Sequence, residues 1–228
     1  MSDFCRFPRI SYLAALGTEI TRDDKVLSTQ EANALLSGDV TIEEKIDGAN
    51  LGLSVGPEGS LRLQNRGQYL MLPYSGQFEK ANGWLKFRRD HLIAELGYGL
   101  ILFGEWCAAR HSLAYDRLPD WFVVFDVFDK EAKRFWSISQ RNALSLRLGL
   151  PVAPLIGAGR TTLTDLKRLT ATQTSRFRTG PLEGIVIRRE SADWLEARAK
   201  LVRPEFTQAI GEHWRRRQIE WNQLKGAA

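Results

Sequence analysis

Seven short runs along the chain either alternate apolar with polar residues or are continuously apolar, and both patterns are typical of β-strands. These runs cover residues 40–46, 51–55, 61–64, 100–105, 121–128, 184–189 and 199–202. Helical spacing of apolar residues predicts helices at 30–36, 78–96, 140–148, 164–171 and 206–224. Short connections join the first three strand runs, and such connections suit antiparallel hairpins. The pattern therefore predicts an α+β fold with mostly antiparallel sheets.

The chain of 228 residues is predicted to form a single domain, residues 1–228. No internal repeat, and no linker rich in glycine, serine or proline, divides it. Its last element, residues 206–225, is predicted to be a basic helix in which cations accompany Trp214 and Trp221. Two interpretations of this helix stay open: a capping helix with a solvated basic face, or a contact with nucleic acid.

Composition places the chain among ordinary globular proteins, since 43% of its residues are hydrophobic and 26% are charged. A net charge of +5 favours a polyanionic partner without identifying one. The two cysteines lie far apart and lack metal-ligand spacing, so reduced thiols are expected. No apolar run is long enough to cross a bilayer, and charges interrupt the first twenty residues, so the expected location is cytoplasmic.

A lysine flanked by carboxylates is the most informative feature of the chain. Residues 43–50 read Glu-Glu-Lys-Ile-Asp-Gly-Ala-Asn, so that a strand leads into Lys45 and then into a glycine turn. A lysine is a nucleophile only when deprotonated, and a functional Lys45 is therefore expected to have a pKa lowered by desolvation or by nearby cations. The alternative is a surface lysine in a charged hairpin.

Two further carboxylates stand at the ends of apolar runs, at Glu105 and Glu183. Burying an unpaired carboxylate is costly, so each of these side chains is expected to pair with a cation or bind a metal ion.

Together these segments resemble the motifs of the covalent nucleotidyltransferase superfamily, which comprises ATP-dependent DNA ligases, RNA ligases and mRNA capping enzymes. Residues 45–48 match motif I, and the later motifs match residues 103–105, 125–126, 183–186 and 198–200, in order. The stretch from Gly104 to Asp126, with His-Ser-Leu at 111–113, is most similar to the RNA ligase branch that includes phage RNA ligase 2. The resemblance covers residues 40–206 and implies a nucleotide cleft in an ATP-grasp-like adenylyltransferase domain.

The resemblance assigns expected roles to individual residues. Lys45 would attack the α-phosphate of ATP and carry AMP, and Lys200 would contact that phosphate. Glu183 would bind Mg²⁺ or Mn²⁺. The residues expected to bind the nucleotide are Glu44, Ile46, Asp47, Gly48, Asn50, Arg66, Glu105, Phe125, Glu183, Arg198 and Lys200.

Phe125 is expected to stack on the adenine ring. Strand alternation places it on the face opposite Phe122, Val124 and Phe128, and only one face is expected to form the core. Core packing of Phe125 is the alternative.

Two departures from the family pattern narrow the expected function. Motif V begins with Arg198 where lysine is usual, and only a short tail comes after it, with no C-terminal OB-fold. The resemblance implies an ATP-dependent RNA ligase that transfers AMP to a 5′-phosphate and joins that end to a 3′-hydroxyl. Its partner would be RNA with such ends, and a partner protein would assist sealing. The alternatives are a minimal DNA ligase, a degenerate ATP or nucleic-acid binder, and a capping-type enzyme that uses GTP.

Overall fold

The structure is a computed structural model that describes residues 4–17, 25–208 and 218–226. Serine or threonine side chains accept hydrogen bonds from the first turns of three helices, with Ser28, Ser137 and Thr162 as N-caps. The helices in the described residues are α1 Thr29–Leu36, α2 Ala81–Trp84, α3 Arg89–Leu96, α4 Ile138–Arg147, α5 Leu163–Thr172 and α6 Pro204–Gln208.

Nine strands in this part of the chain form two antiparallel sheets, which confirms the predicted class. The strands are β1 Val40–Lys45, β2 Ala49–Val55, β3 Leu61–Gln64, β4 Leu100–Trp106, β5 Phe122–Asp129, β6 Arg134–Phe135, β7 Leu155–Gly159, β8 Gly184–Glu190 and β9 Leu195–Val202. The first sheet has the order β7-β1-β8-β9, and the second has the order β3-β2-β4-β5-β6. The short strands β6 and β7 were not predicted.

The predicted hairpin between the first two strands is wrong. β1 pairs on both edges, with β7 and β8, while β2 pairs with β3 and β4 in the other sheet. The intervening residues 46–48 therefore carry the chain from one sheet to the other. The β2–β3 hairpin is confirmed, and Gly59 takes the positive φ of 76° that its turn requires.

The predicted helix at 78–96 is broken into several short elements. A 3₁₀ turn at Gly76–Phe78 precedes α2, and a second at Leu85–Phe87 precedes α3. The side chain of Asn82 bonds to both the backbone N–H and the carbonyl of Tyr74, and Gly83 comes directly after it. Side-chain bonds to the local backbone compete with helical hydrogen bonding, and glycine is a poor helix former.

The predicted helix at 206–225 is wrong over its last part. α6 ends at Gln208, and residues 209–217, which include Trp214 and the arginines next to it, lie outside the described residues. Residues 218–225 are extended, and they bridge to the loop after β4 through Trp221 and Leu224. Their backbone groups bond to that loop instead of to one another.

Each sheet covers an apolar core on its outer face. α1 and α5 pack with the first sheet around Leu35, Ile185 and Leu166, and α2 to α4 pack with the second sheet around Leu53 and Leu144. The remaining faces of the two sheets line a cleft between them. None of the helices in the described ranges is long and apolar enough to cross a membrane.

A buried ion pair links α4 to the first sheet at the base of the cleft. Arg141 donates to both carboxylate oxygens of Glu43, at 2.6 and 3.1 Å, and to the carbonyl of Phe125 at 2.8 Å. Both side chains of the pair are at most 3% exposed. We expect Arg141→Met to lower the free energy of unfolding by about 3–5 kcal/mol in urea titrations, because Glu43 would lose its main partner while staying buried.

The matched control is the exposed pair of Arg134 with Glu196, which are 2.9 Å apart and about two-fifths exposed. Arg134→Met should change the free energy of unfolding by less than about 1 kcal/mol, because solvent screens the pair. Equal losses in the two variants would contradict a specific role for the buried pair.

Candidate active site

The cleft between the sheets contains two adjoining cavities. The first has a volume of about 350 Å³ and a mainly apolar lining surface, to which Phe7, Val123, Phe125 and Val186 contribute. The second has a volume of about 760 Å³. The residues that line both cavities are Lys45, Asn50, Arg66, Glu105 and Lys200. These five residues are distant from one another in the sequence, and the resemblance predicted that they carry or bind the nucleotide. They meet where the two cavities join.

Lys45 is the last residue of β1 and stands opposite Gly184, the first residue of β8. This register brings Glu183 beside it, and the Nζ of Lys45 lies 2.6 Å from Oε2 of Glu183. The two side chains are only 24% and 12% exposed. The alternative of a freely exposed surface lysine is therefore wrong.

The protein groups around Lys45 do not by themselves lower its pKa. Burial lowers this pKa, but the carboxylates of Glu183, Glu105 and Asp47 together raise it above its usual value. Lys45 is thus an ammonium group in this structure, and it must lose a proton before it can act as a nucleophile.

Burial has the opposite effect on the neighbouring acids. Desolvation raises the pKa of Glu105 to about 8 and that of Glu183 to about 7, although Lys45 opposes both shifts. A positive charge beside these carboxylates would stabilise their ionised form. The pair is therefore suited to a cationic ligand.

The turn directly after Lys45 is held by buried hydrogen bonds. Oδ2 of Asp47 accepts from the backbone N–H groups of Ser112 and Leu113, at 2.8 and 2.7 Å, and the Asp47 N–H donates to the Tyr115 hydroxyl. Asp47 was predicted to bind the nucleotide, but it lines neither cavity. Its contacts fix the backbone beside Lys45.

Gly48 lines the second cavity and packs tightly against the second sheet. A Cβ atom at this position would lie 2.7 Å from the carbonyl oxygen of Trp106 and 3.0 Å from Cγ of Glu105. Only glycine lets the turn approach β4 so closely.

Two residues that line the first cavity each carry a buried side-chain oxygen with no hydrogen-bond partner in the described part of the chain. These oxygens are Oε1 of Glu44 and Oδ1 of Asn50. The other Glu44 oxygen accepts from the backbone N–H of Arg176 at 2.9 Å, which fixes the carboxylate. Unpartnered buried acceptors are costly, so their presence fits a ligand that donates hydrogen bonds. Ile46 also lines this cavity.

Phe125 reaches the first cavity for a reason other than simple alternation. The pairing of β4 with β5 shifts between Phe103 and Gly104, which leaves Phe125 in a bulge. As a result Phe128, expected on the opposite face, packs in the same cluster as Phe125. The assumption of a single core face is wrong as well, because β5 buries residues on both sides.

Arg66 and Lys200 bring two further cations to the cleft. Oδ1 of Asn65 accepts from the N–H groups of Gly67 and Gln68, and this turn presents Arg66 to both cavities. Lys200 enters from β9, with its Nζ 4.0 Å from the centre of the Tyr12 ring.

Arg198 is placed differently from the other predicted residues. It lines neither cavity, and it forms an ion pair with Asp126, which also binds Arg188 at 2.8 Å. The guanidinium stacks over the rings of Phe7 and Phe135. Because Arg198 already bonds a buried carboxylate, we assign it to the support of the cleft and not to phosphate binding.

The N-terminal segment contributes residues that the sequence analysis missed. Phe7, Arg9 and Ile10 line the first cavity, and Tyr12 lines the second. The backbone of residues 11–13 bonds to Lys200 on both its N–H and its carbonyl. The available signal was a short run of spaced apolar residues before the first matched motif.

A metal ion held by protein atoms alone has no support in the described residues, which contain no group of three or more potential histidine, cysteine or carboxylate ligands. Glu183 and Glu105 are two partly buried carboxylates near Lys45. Mg²⁺ commonly uses one or two carboxylates together with phosphate oxygens and water. The donor set therefore fits a metal ion that arrives with a nucleotide.

Comparisons with solved structures identify the fold. Naegleria gruberi RNA ligase solved with PPi is 18% identical, with a TM-score of 0.62 over 89% of this chain and 63% of that one. A variant of the same ligase solved with ATP and Mn is 14% identical, with a TM-score of 0.66 over 91% and 59%. An archaeal ATP-dependent RNA ligase is 18% identical, with a TM-score of 0.58 over 87% and 48%.

The chain thus spans about half to three-fifths of the length of the solved ligases that it resembles. No curated protein matches it significantly. The sequence profile of the family described as RNA ligase matches residues 38–202. This region contains β1, which ends at Lys45, and β2, which follows it. It also contains every motif residue that lines the two cavities. The chain belongs to the RNA ligase family.

Proposed function

We propose that this protein is an ATP-dependent RNA ligase that carries AMP on Lys45. The observation that carries the proposal is the position of the Lys45 Nζ, which lies where an apolar cavity with unpartnered acceptors joins a larger, more polar one. An adenosine would occupy the first cavity, and the phosphates would extend past Lys45 into the second.

The first cavity offers the contacts that an adenosine needs. Phe125 provides a ring face for stacking, and Glu44 provides an acceptor for the exocyclic amine. Asn50 and Glu105 stand at the junction, where they would accept hydrogen bonds from the ribose hydroxyls. Guanine would direct a carbonyl oxygen toward the Glu44 carboxylate, so ATP should be preferred over GTP.

We expect Phe125→Ala to raise the KM for ATP by roughly 5- to 150-fold in the adenylylation reaction, since a stacked base contributes about 1–3 kcal/mol. The maximal rate should change less, because Phe125 is remote from the reacting phosphate. Phe87→Ala is the control, since the Phe87 ring is 92% exposed and lies outside the cleft. An unchanged KM in Phe125→Ala would assign the ring to core packing.

In the first step the Lys45 ammonium group gives up a proton to solvent, and the neutral amine attacks the α-phosphorus. A P–N bond forms as the bond to pyrophosphate breaks, and the attached nitrogen releases a second proton to solvent. Lys200 and Arg66 line the junction and would stabilise the charge that develops on the phosphate oxygens. Glu183 would hold Mg²⁺ or Mn²⁺, whose charge would polarise the phosphate and oppose the raised pKa of Lys45.

The later steps need a polynucleotide with a 5′-phosphate and a nearby 3′-hydroxyl. The 5′-phosphate oxygen attacks the lysyl-AMP, which releases Lys45 and leaves a 5′-adenylated end. The 3′-hydroxyl then attacks that end, forms the phosphodiester and releases AMP. We place this activity in the cytoplasm and assign RNA as the polynucleotide.

The proposal is tested with a panel of α-labelled nucleotides and acceptors. Label retained on a denaturing gel from ATP, with Mg²⁺ or Mn²⁺ present, is the expected result. Label from GTP alone would indicate a capping-type enzyme, and no label on folded protein would indicate a degenerate binder.

Nicked RNA and nicked DNA in competition then identify the acceptor. Preferential sealing of the RNA nick is expected, and preference for DNA would overturn the RNA assignment. Adenylated 5′ ends that accumulate unsealed would show that a partner protein is required for the last step.

A further inference from the structure

The extended residues 218–225, which we call the C-terminal strap, lie against the loop of residues 107–118. The backbone N–H of Asn222 donates to Ala108, that of Gln223 to Tyr115, and that of Lys225 to Leu118, at 2.8–2.9 Å. The strap lies outside residues 38–202, the region that matches the family, whereas the loop that it contacts lies inside that region.

Asn222 is the central contact of the strap. Its side chain is buried, and its Oδ1 accepts from the Tyr115 N–H at 2.8 Å. Its Nδ2 donates to the carbonyls of Cys107 and Ala109, at 2.8 and 3.3 Å. One carboxamide thus forms hydrogen bonds with three backbone groups of a single loop, which fixes that loop's shape as well as its position.

The same loop holds the turn beside Lys45. The Tyr115 hydroxyl accepts from the Asp47 N–H at 2.9 Å, and the N–H groups of Ser112 and Leu113 both donate to the Asp47 carboxylate. Cys107 also comes directly after β4, the strand that carries Glu105. A continuous chain of buried contacts therefore runs from Asn222 through Tyr115 to Asp47, two residues from Lys45.

Packing supports the same connection. Leu224 packs against the cluster that contains Ile46 and Tyr115. The ammonium group of Lys80 lies 4.4 Å from the ring centre of Trp121 and 4.7 Å from that of Trp221, which ties the strap to the second sheet.

We propose that the strap is a positioning element of the active site, and that Asn222 is a positioning residue that sets the place of Lys45 through Tyr115 and Asp47. This inference rests on the proposed adenylylation of Lys45. Nucleophilic attack depends on the alignment of Nζ with the phosphate, and a displacement of about 1 Å can reduce a rate by about 100-fold. The strap itself touches neither cavity.

The test compares Asn222→Ala with a core variant of matched stability loss. Leu166→Ala is the control, because Leu166 is fully buried on the outer face of the first sheet. Urea titrations establish the stability of both variants, and single-turnover labelling is measured where both are fully folded. Asn222→Ala should lower the rate constant at saturating ATP by about 10-fold or more, with the KM for ATP within about twofold of wild type.

Tyr115→Phe removes only the hydroxyl that links the loop to Asp47. It should reproduce the loss of rate while the strap contacts persist. A wild-type rate in Asn222→Ala, or an equal loss in Leu166→Ala, would overturn the positioning role.

Amide hydrogen exchange gives a readout that does not depend on activity. The amides of residues 46–47 and 112–113 should exchange faster in Asn222→Ala than in Leu166→Ala. Wild-type protein that takes no label would overturn the proposed function, while unchanged exchange at these amides would overturn the strap proposal separately.

Discussion

Lys45→Ala should retain no label from α-labelled ATP, a loss of roughly 10⁴-fold or more, because removal of a covalent nucleophile leaves no atom to bond the phosphorus. Lys45→Arg should fail equally, since a guanidinium keeps the positive charge but is not deprotonated at neutral pH. Single-turnover labelling on a denaturing gel measures both.

The control for this loss is Lys86→Ala, because Lys86 is exposed in the second 3₁₀ turn and lines neither cavity. It should label at the wild-type rate. Persistent label in a folded Lys45→Ala protein would mean that another side chain carries the nucleotide.

Glu183→Gln is the second substitution that we expect to lower the adenylylation rate strongly. The substitution keeps the side-chain shape but removes the carboxylate that lies 2.6 Å from the Lys45 Nζ. Two consequences oppose each other: loss of a neighbouring anion lowers the pKa of Lys45, whereas loss of a metal ligand weakens stabilisation of the phosphate charge. We expect the second to dominate, with a fall of about 10²- to 10³-fold in the adenylylation rate.

A titration with Mg²⁺ or Mn²⁺ distinguishes the two consequences. Glu183→Gln should need a higher metal concentration for half-maximal rate, whereas Glu196→Gln, which removes an exposed carboxylate paired with Arg134, should not. A faster reaction in Glu183→Gln at unchanged metal dependence would contradict the assignment of Glu183 as a metal ligand.

The motif residues of the site were predictable because they stand at strand ends, and the apolar pattern of a strand shows where it ends. Lys45, Glu105 and Glu183 end or precede strands whose apolar patterns are clear, and each reaches the cleft. The antiparallel class was predictable from the same local pattern, since short strands with short connections dominate the first half of the chain.

The pairing of strands that are distant in the sequence could not be predicted. β1 and β2 are separated by three residues yet enter different sheets, because the edges of β1 are taken by β7 and β8, which lie more than 100 residues later. The bulge at Phe125 depends on its pairing with β4, so alternation along β5 alone misplaced Phe128.

The raised pKa of Lys45 could likewise not be predicted from the residues next to it in the sequence. It arises mainly from Glu183 and Glu105, which join Lys45 only in the folded chain, and to a smaller extent from Asp47. The extended strap was missed because basic residues and spaced apolar side chains resemble an amphipathic helix, while its bonding partners lie in the loop of residues 107–118.

The assignment of Lys45 as the residue that carries AMP is tested most directly by mass spectrometric mapping. Wild-type protein is incubated with ATP and Mg²⁺ and then digested under alkaline conditions that preserve a phosphoramidate. We predict an AMP adduct on Lys45 in the peptide that contains residues 43–50. An adduct on a different residue, or folded protein with none, would contradict the assignment.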